Sequence, residues 1–340
     1  MNPKPKRRIL GLLVLLALSA LCSCAPHVRP VSANTLVRLQ QHSSNRRADE
    51  FPKGQLRLEY PVLLRPGTVL RVALQGTHRI PTIPAELHSH RLPWIVDTGA
   101  AFPLLLDAES AAQARLPVLE GARIKGTGVG GNTELLLGRF ESLECAGQKV
   151  LGEGIAGVLL QTYQFKFAGV PVRRLPLNLL GLPFLELFSF VTLDAPAKKA
   201  ELGYKVSFIP PKGAVSFPFQ THGGRLWVKV TIAGQKIPAF FDTGCGSTLR
   251  LPSTVLGKLP ASAWASTHRS TRAAMGVGGV EMEEIGTLRE AHIGGVRLTP
   301  VEYDTSPTTR DAMLGWGPFR KNRITIDFQR KCVWVEPTPP

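Results

Sequence analysis

The chain has 340 residues, 44% hydrophobic and 19% charged, enough to bury one large core or two smaller ones. Its 33 Gly and 28 Pro argue against a helical protein and for short strands joined by tight turns. The formal net charge is +16, but Lys and Arg are scattered without a dense cluster interleaved with aromatics, which argues against nucleic acid as a partner and for a general attraction to an anionic surface.

The first residues read as an export signal. Lys4, Lys6, Arg7 and Arg8 form a basic start, and residues 9–18 are apolar but too short to span a bilayer comfortably. Leu21-Cys22-Ser23-Cys24 resembles a bacterial lipobox, which implies cleavage after residue 23 and lipidation of Cys24. Cys22 stands where a small residue is usual, so a plain signal peptide cleaved nearby is the alternative. Ala25 after the cysteine resembles outer-membrane sorting. Loss of the leader leaves 37 Lys and Arg against 25 Asp and Glu, or +12. Residues 24–60 are polar and weakly periodic and are expected to form a lipid-anchored tether, with a short helix around residues 33–41.

Cys145, Cys245 and Cys332 follow, without a CxxC or a His/Cys ligand spacing, so no metal site is expected. Export permits one disulfide among them and leaves at least one thiol. His88 and His90 are expected on an exposed hairpin.

From there the chain can be laid on itself. "AELHSHRLPWIVDTGA" (residues 85–100) matches "VTIAGQKIPAFFDTGC" (residues 230–245), each a strand, a two-residue turn and a strand ending in Asp-Thr-Gly. "GVGG" occurs at residues 128–131 and again at 276–279. Two hairpin-like stretches follow, at 141–151 and 289–299. "LLGLPFLELFSFVTLD" (residues 179–194) then echoes "MLGWGPFRKNRITID" (residues 313–327). Four signals in one order indicate a duplication. The first copy is longer: 53 positions from Gly128 to Gly181, against 39 from Gly276 to Gly315. The surplus is placed within residues 162–176. The join falls near residues 210–213, so the halves are residues 61–210 and 211–337.

Two Asp-Thr-Gly loops carry a definite chemistry. A carboxylate at the end of a buried strand is costly unless it is hydrogen-bonded or neutralised. Glycine lets the backbone turn its N–H toward the carboxylate, and a Thr hydroxyl can bond a neighbouring loop. Matching halves meeting across a pseudo-twofold axis would bring Asp97 and Asp242 together. Such a pair shares one proton, and one member serves as base for a water while the other serves as acid for a carbonyl oxygen. Asp194 and Asp327 read as strand-end residues, and Asp304 and Asp311 as loop acids.

These features resemble the retropepsin-like aspartyl proteases of bacteria, over most of residues 66–336. The resemblance implies an all-β protein of two homologous β-barrel halves, with a pseudo-twofold interface and a cleft between them. It implies that Asp97 and Asp242 are the catalytic dyad, that Thr98 and Thr243 interlock beneath it, and that Gly99 and Gly244 let the loops approach. Gly128, Val129, Gly130 and Gly131, with Gly276, Val277, Gly278 and Gly279, would tip two flaps that close over an extended peptide. The implied reaction is peptide-bond hydrolysis by water, with no cofactor, metal or covalent intermediate. One departure is notable. Ser247 and Thr248 follow the second Asp, but Phe102 and Pro103 occupy those places in the first half. Asp97 is therefore expected to be held less firmly. Cys245 is read as a small buried apolar residue.

The expected protein is thus an exported, lipid-anchored, monomeric aspartic endopeptidase acting on exported or envelope polypeptides. The alternatives are a non-catalytic envelope lipoprotein that binds extended peptides in the same cleft, and a structural wall-anchoring protein.

Overall fold

The computed structural model of the chain describes residues 25–40, 44–47, 61–77, 80–128, 130–167, 170–174 and 176–336. The export signal, Cys24 and Val129 lie outside the described residues. Strands dominate, and each Asp-Thr-Gly closes the second strand of a hairpin. Ile80–Leu87 pairs antiparallel with His90–Asp97, and Arg225–Ile232 with Gln235–Asp242. The turns are two residues long, at His88-Ser89 and Ala233-Gly234, all with positive φ. That mirror-image turn matches the twist of the flanking strands. Burial alternates along His90–Asp97: Leu92, Trp94 and Val96 enter the core, while Ile95 and Asp97 face the other way. His88 is half-buried rather than exposed. Its Nε2 accepts from the Glu141 N–H, which leaves Nδ1 to donate to the Ala114 carbonyl at 3.1 Å.

Beside each Asp-ending strand lies a short strand from the far end of its half. Leu179–Gly181 runs parallel to His90–Asp97, setting Gly181 beside Asp97. Ala312–Gly315 does the same, setting Gly315 beside Asp242. Each inserts between the Asp-ending strand and the strand that follows it, Leu104–Asp107 or Leu249–Arg250. Each half also carries a long hairpin, Val118–Gly128 with Gly131–Phe140 and Ser270–Gly276 with Gly279–Leu288.

Each half builds its own large sheet, and a third sheet of six strands is shared. Its central pair is Phe190–Asp194 against Arg323–Asp327, antiparallel about Thr192 and Thr325. Their fully buried hydroxyls lie 2.8 Å apart, one residue from each half in equivalent places, and mark the pseudo-twofold axis. Asp194 and Asp327 accept from the Ala197 and Arg330 N–H groups in the following turns. The core beneath Asp242 is aromatic. Phe241 packs edge-on against Phe217 and Phe319 at 6.0 and 5.6 Å, and all three are buried. Burying each such ring stabilises by roughly 1.5–3 kcal/mol, and here it anchors the strand just before the Asp.

Residues 25–40 do not hang free as a tether. Ala25–Pro30 pairs antiparallel with Gln161–Phe167, which pairs on its other side with Val170–Arg174. That hairpin is the surplus of the first half, and its edge receives the N-terminal strand. The helix Ala33–Gln40 is capped by the Ser32 hydroxyl, which accepts from the Thr35 N–H. It buries Thr35 and Leu39, and Thr35 bonds Glu109 in the helix Ala108–Gln113. One buried residue per turn is enough to seat a short helix, even in a segment that is polar on average.

Candidate active site

The two Asp-Thr-Gly loops face each other and are locked by reciprocal bonds. The Thr98 hydroxyl donates to the Phe241 carbonyl at 2.7 Å and accepts from the Thr243 N–H at 3.0 Å. The Thr243 hydroxyl donates to the Val96 carbonyl at 2.6 Å and accepts from the Thr98 N–H at 3.1 Å. Both threonines are fully buried. This grip sets Asp97 and Asp242 side by side, with their carboxyl groups hydrogen-bonded to each other. Gly99 and Gly244 must lack a side chain. A Cβ on Gly99 would stand 2.5 Å from the Asp242 carboxyl, and one on Gly244 would stand 2.5 Å from that of Asp97.

Asp97 and Asp242 are each half-buried. The Asp97 Oδ1 accepts from Gly99 and Ala100 N–H groups at 2.8 and 2.9 Å. Asp242 Oδ1 accepts from Gly244 at 2.8 Å, and the Cys245 N–H also bonds this carboxyl. The first half's missing hydroxyl therefore does not loosen Asp97, because main-chain N–H groups do the holding. Ser247 Oγ instead accepts from Arg272 at 2.9 Å. The loops also match behind the dyad. Gly181 and Leu182 donate to Pro103 and Ala100, and Gly315 and Trp316 donate to Thr248 and Cys245, all at 2.8–3.1 Å.

Burial is the largest cause raising both carboxyl pKa values, and Asp97 stands well above its ordinary value. After desolvation, the Asp242 charge and the bond to its carboxyl raise Asp97 further. That bond lowers Asp242, as do its main-chain donors and, more weakly, the Arg250 charge. Such a pair shares one proton and carries one negative charge between its two carboxyls. Burial also pushes the Cys245 thiol up to about 12, with the charges of Asp242 and Asp304 adding to the shift. It is thus a neutral thiol, and among the described residues Cys145, Cys245 and Cys332 are all free.

The two long hairpins meet each other at their tips. Gly128 pairs with Gly131 and Gly276 with Gly279 at the two tips. The tips meet with no room between them. A Cβ on Gly130 would lie 2.5–2.7 Å from the Gly279 backbone, and one on Gly278 would clash with the Gly131 backbone. Val277 lies over Gly128.

Beneath the tips the halves differ. Eight residues past each Asp stand Leu105 and Arg250, and four past each tip stand Leu135 and Glu283. The first pair belongs to a small buried apolar cluster. The second belongs to a buried ionic network: Arg250 bonds Asp304 and Glu281, both at 2.8 Å, and also Glu283. Arg272, on the second flap, reaches Glu283 and Asp304 at 3.2 and 3.1 Å. Asp304 is thus no loop acid. It is buried in the strand Val301–Thr305, opposite Arg250. Asp311 is half-exposed and paired with Arg225 at 2.9 Å. Sequence reasoning missed this network. Its one visible signal is alternation, with Glu281 and Glu283 on a single face of one strand. Among the described residues no group of three or more His, Cys, Asp or Glu is arranged to hold a metal ion.

Comparison with known proteins points the same way. The model of a family described as aspartyl protease matches the chain twice, over residues 83–184 and 228–317. Each match contains one Asp-Thr-Gly loop, one long hairpin and the strand that returns beside the Asp. No curated protein matches the chain.

Proposed function

The chain belongs to the aspartyl protease family, and from that premise we propose that it is an endopeptidase whose dyad is completed within one chain. The observation that carries the reading is the meeting of Asp97 and Asp242 side by side, where the crossed hydroxyl bonds of Thr98 and Thr243 hold the two Asp-Thr-Gly loops together. A water between them loses a proton to ionised Asp242 as its oxygen attacks the scissile carbonyl carbon. Asp97 gives its proton to the carbonyl oxygen, and a neutral gem-diol results. Asp242 then passes its proton to the amide nitrogen as the C–N bond breaks, and a diol hydroxyl returns one to Asp97. The peptide lies extended under the two glycine tips, which exclude water when closed.

The substrates we propose are exported or envelope polypeptides, met by a monomer anchored through a lipid on Cys24. The leader and lipobox pattern of the sequence support that placement. The main-chain support of Asp97 weakens the case for a non-catalytic peptide-binding lipoprotein.

The test is incubation of the purified chain with a mixed peptide library at several pH values. Cleavage that disappears in both Asp97→Asn and Asp242→Asn is the expected result. Cleavage that survives either substitution, or tight binding with no cleavage by the unaltered chain, overturns it.

A further inference from the structure

The cleft face of the first half already has an occupant. Side chains alternate along His90–Asp97, so Ile95 lies on the face that carries Asp97. Register sets Leu179 beside Ile95, and Leu105 beside Leu179, on that same face. Leu105 and Leu179 cluster with Tyr163, and Ile95 and Val277 pack against them. Val28, from the strand Ala25–Pro30, packs on this cluster too.

The way that strand is held resembles the way a cleft holds a peptide. Ala25–Pro30 is extended and lies against both strands of the second flap. Val28 stands opposite Tyr163 in the pairing with Gln161–Phe167. The buried Tyr163 hydroxyl donates to the Val277 carbonyl at 2.8 Å, so the same hairpin that holds the strand also latches the flap tip. The second half lacks this hairpin, and its cleft face is different. The counterpart of Ile95 is Phe240, and the Arg225 guanidinium lies 4.5 Å from the centre of its ring.

We infer that Ala25–Pro30 is a built-in competitor for the cleft: Val28 fills a subsite beside Asp97 that takes a branched aliphatic side chain of an extended peptide. The inference rests on the reading of the cleft as a peptidase site, and it adds both a preference on one side of that site and a restraint on its use. Substrate must displace the strand, or the strand must be drawn away, before the first-half subsite is free. The selective part is apolar shape, since Ile95, Leu105 and Leu179 offer a substrate side chain no hydrogen bond.

Two measurements on the full chain test it. The first is fluorescence anisotropy with a labelled hexapeptide Ala-Pro-His-Val-Arg-Pro, the sequence of residues 25–30, and with the same peptide carrying Asp for Val. Val28→Asp should bind the Val peptide roughly tenfold or more tightly than the unaltered chain, the range one aliphatic group sets in an apolar pocket, and should not bind the Asp peptide. The second is cleavage of the peptide library. Here kcat/KM should rise by a similar factor in Val28→Asp, and the hexapeptide should inhibit competitively. Equal binding by the two chains, or binding by neither, overturns the inference, as does an unchanged kcat/KM in a cleaving enzyme. If no variant cleaves but Val28→Asp binds the Val peptide more tightly, the endopeptidase reading falls and the competitor strand stands. Should Val28→Asp fail to fold, Tyr163→Phe removes only the latch hydroxyl. It should raise peptide affinity in the same direction, and no rise overturns the proposal.

Discussion

The Thr98 hydroxyl donates to the Phe241 carbonyl, and the Thr243 hydroxyl donates to the Val96 carbonyl, so each half's loop is fastened to the strand that ends in the other half's Asp. Each hydroxyl also accepts the opposite threonine's N–H. Thr98→Val keeps the shape but orphans a buried carbonyl and a buried N–H. The expected cost is about 2–4 kcal/mol, read as a lower urea midpoint, with kcat falling as the dyad loosens. Thr98→Ser keeps both bonds and should unfold close to the unaltered chain. Equal midpoints for the Val and Ser variants would rule out the grip as a stabilising feature.

The dyad makes stability depend on pH in a stated direction. Asp97 is raised well above 3.8, chiefly by burial. Below 3.8 it is protonated whether folded or unfolded. Above 3.8 the unfolded chain releases that proton while the folded chain keeps it, so stability falls as pH rises toward the folded pKa. The slope approaches about 1.4 kcal/mol per pH unit for one proton. Asp97→Asn has no such proton. Its melting temperature, followed from pH 3 to 6, should gain steadily on that of the unaltered chain while peptidase activity is absent. A constant gap would mean that Asp97 titrates near its ordinary value.

How much of this is legible in the sequence depends on the range of the interaction. The Asp-Thr-Gly pair and the glycine tips announce themselves by short local patterns that recur in one order, and the surplus of the first half shows as a difference in their spacing. The support of Asp97 does not, since its donors are main-chain N–H groups of Gly99 and Ala100, which any residue but proline supplies. Counting hydroxyls at Phe102 and Pro103 therefore misjudges it. The docking of Ala25–Pro30 is equally hidden. Its partner strand lies more than a hundred residues on, and the sequence Ala-Pro-His-Val-Arg-Pro has no apolar run to announce a strand. Asp304 looks like a loop acid until Arg250 is set opposite it, a pairing that no local period encodes.

The meeting of the glycine tips gives a kinetic prediction. A methyl group on Gly278 would fall on the Gly131 backbone, which cannot swing aside like a long side chain. Gly278→Ala should hold the tips apart. The melting temperature should change little, because the added methyl meets the opposite tip rather than a buried side chain, while kcat/KM drops by about tenfold, or ~1.4 kcal/mol. Progress curves on one peptide substrate, set beside thermal melts, check both parts. A variant with full kcat/KM would show that the reaction does not need the tips to touch.

The unequal layers beneath the flaps supply a last test, because the first half shows what the second could have carried. Leu105 and Leu135 stand where Arg250 and Glu283 stand, and the duplication makes them natural replacements. Arg250→Leu alone strands Glu283 and Asp304, both about 1% exposed, with Arg272 as their remaining cation. Breaking a buried pair by removing one partner costs about 3–5 kcal/mol, and the urea midpoint should fall accordingly. Arg250→Leu with Glu283→Leu removes one of the stranded anions and restores an apolar contact of the kind the first half already uses. Its midpoint should lie above that of the single variant, with a coupling of ~1 kcal/mol or more. Asp304 keeps Arg272, which also holds Ser247 beside the Asp242 loop, so the double variant should retain peptidase activity. Strictly additive losses would mean that Arg250 and Glu283 act independently, and the network would then be a set of separate ion pairs rather than one unit.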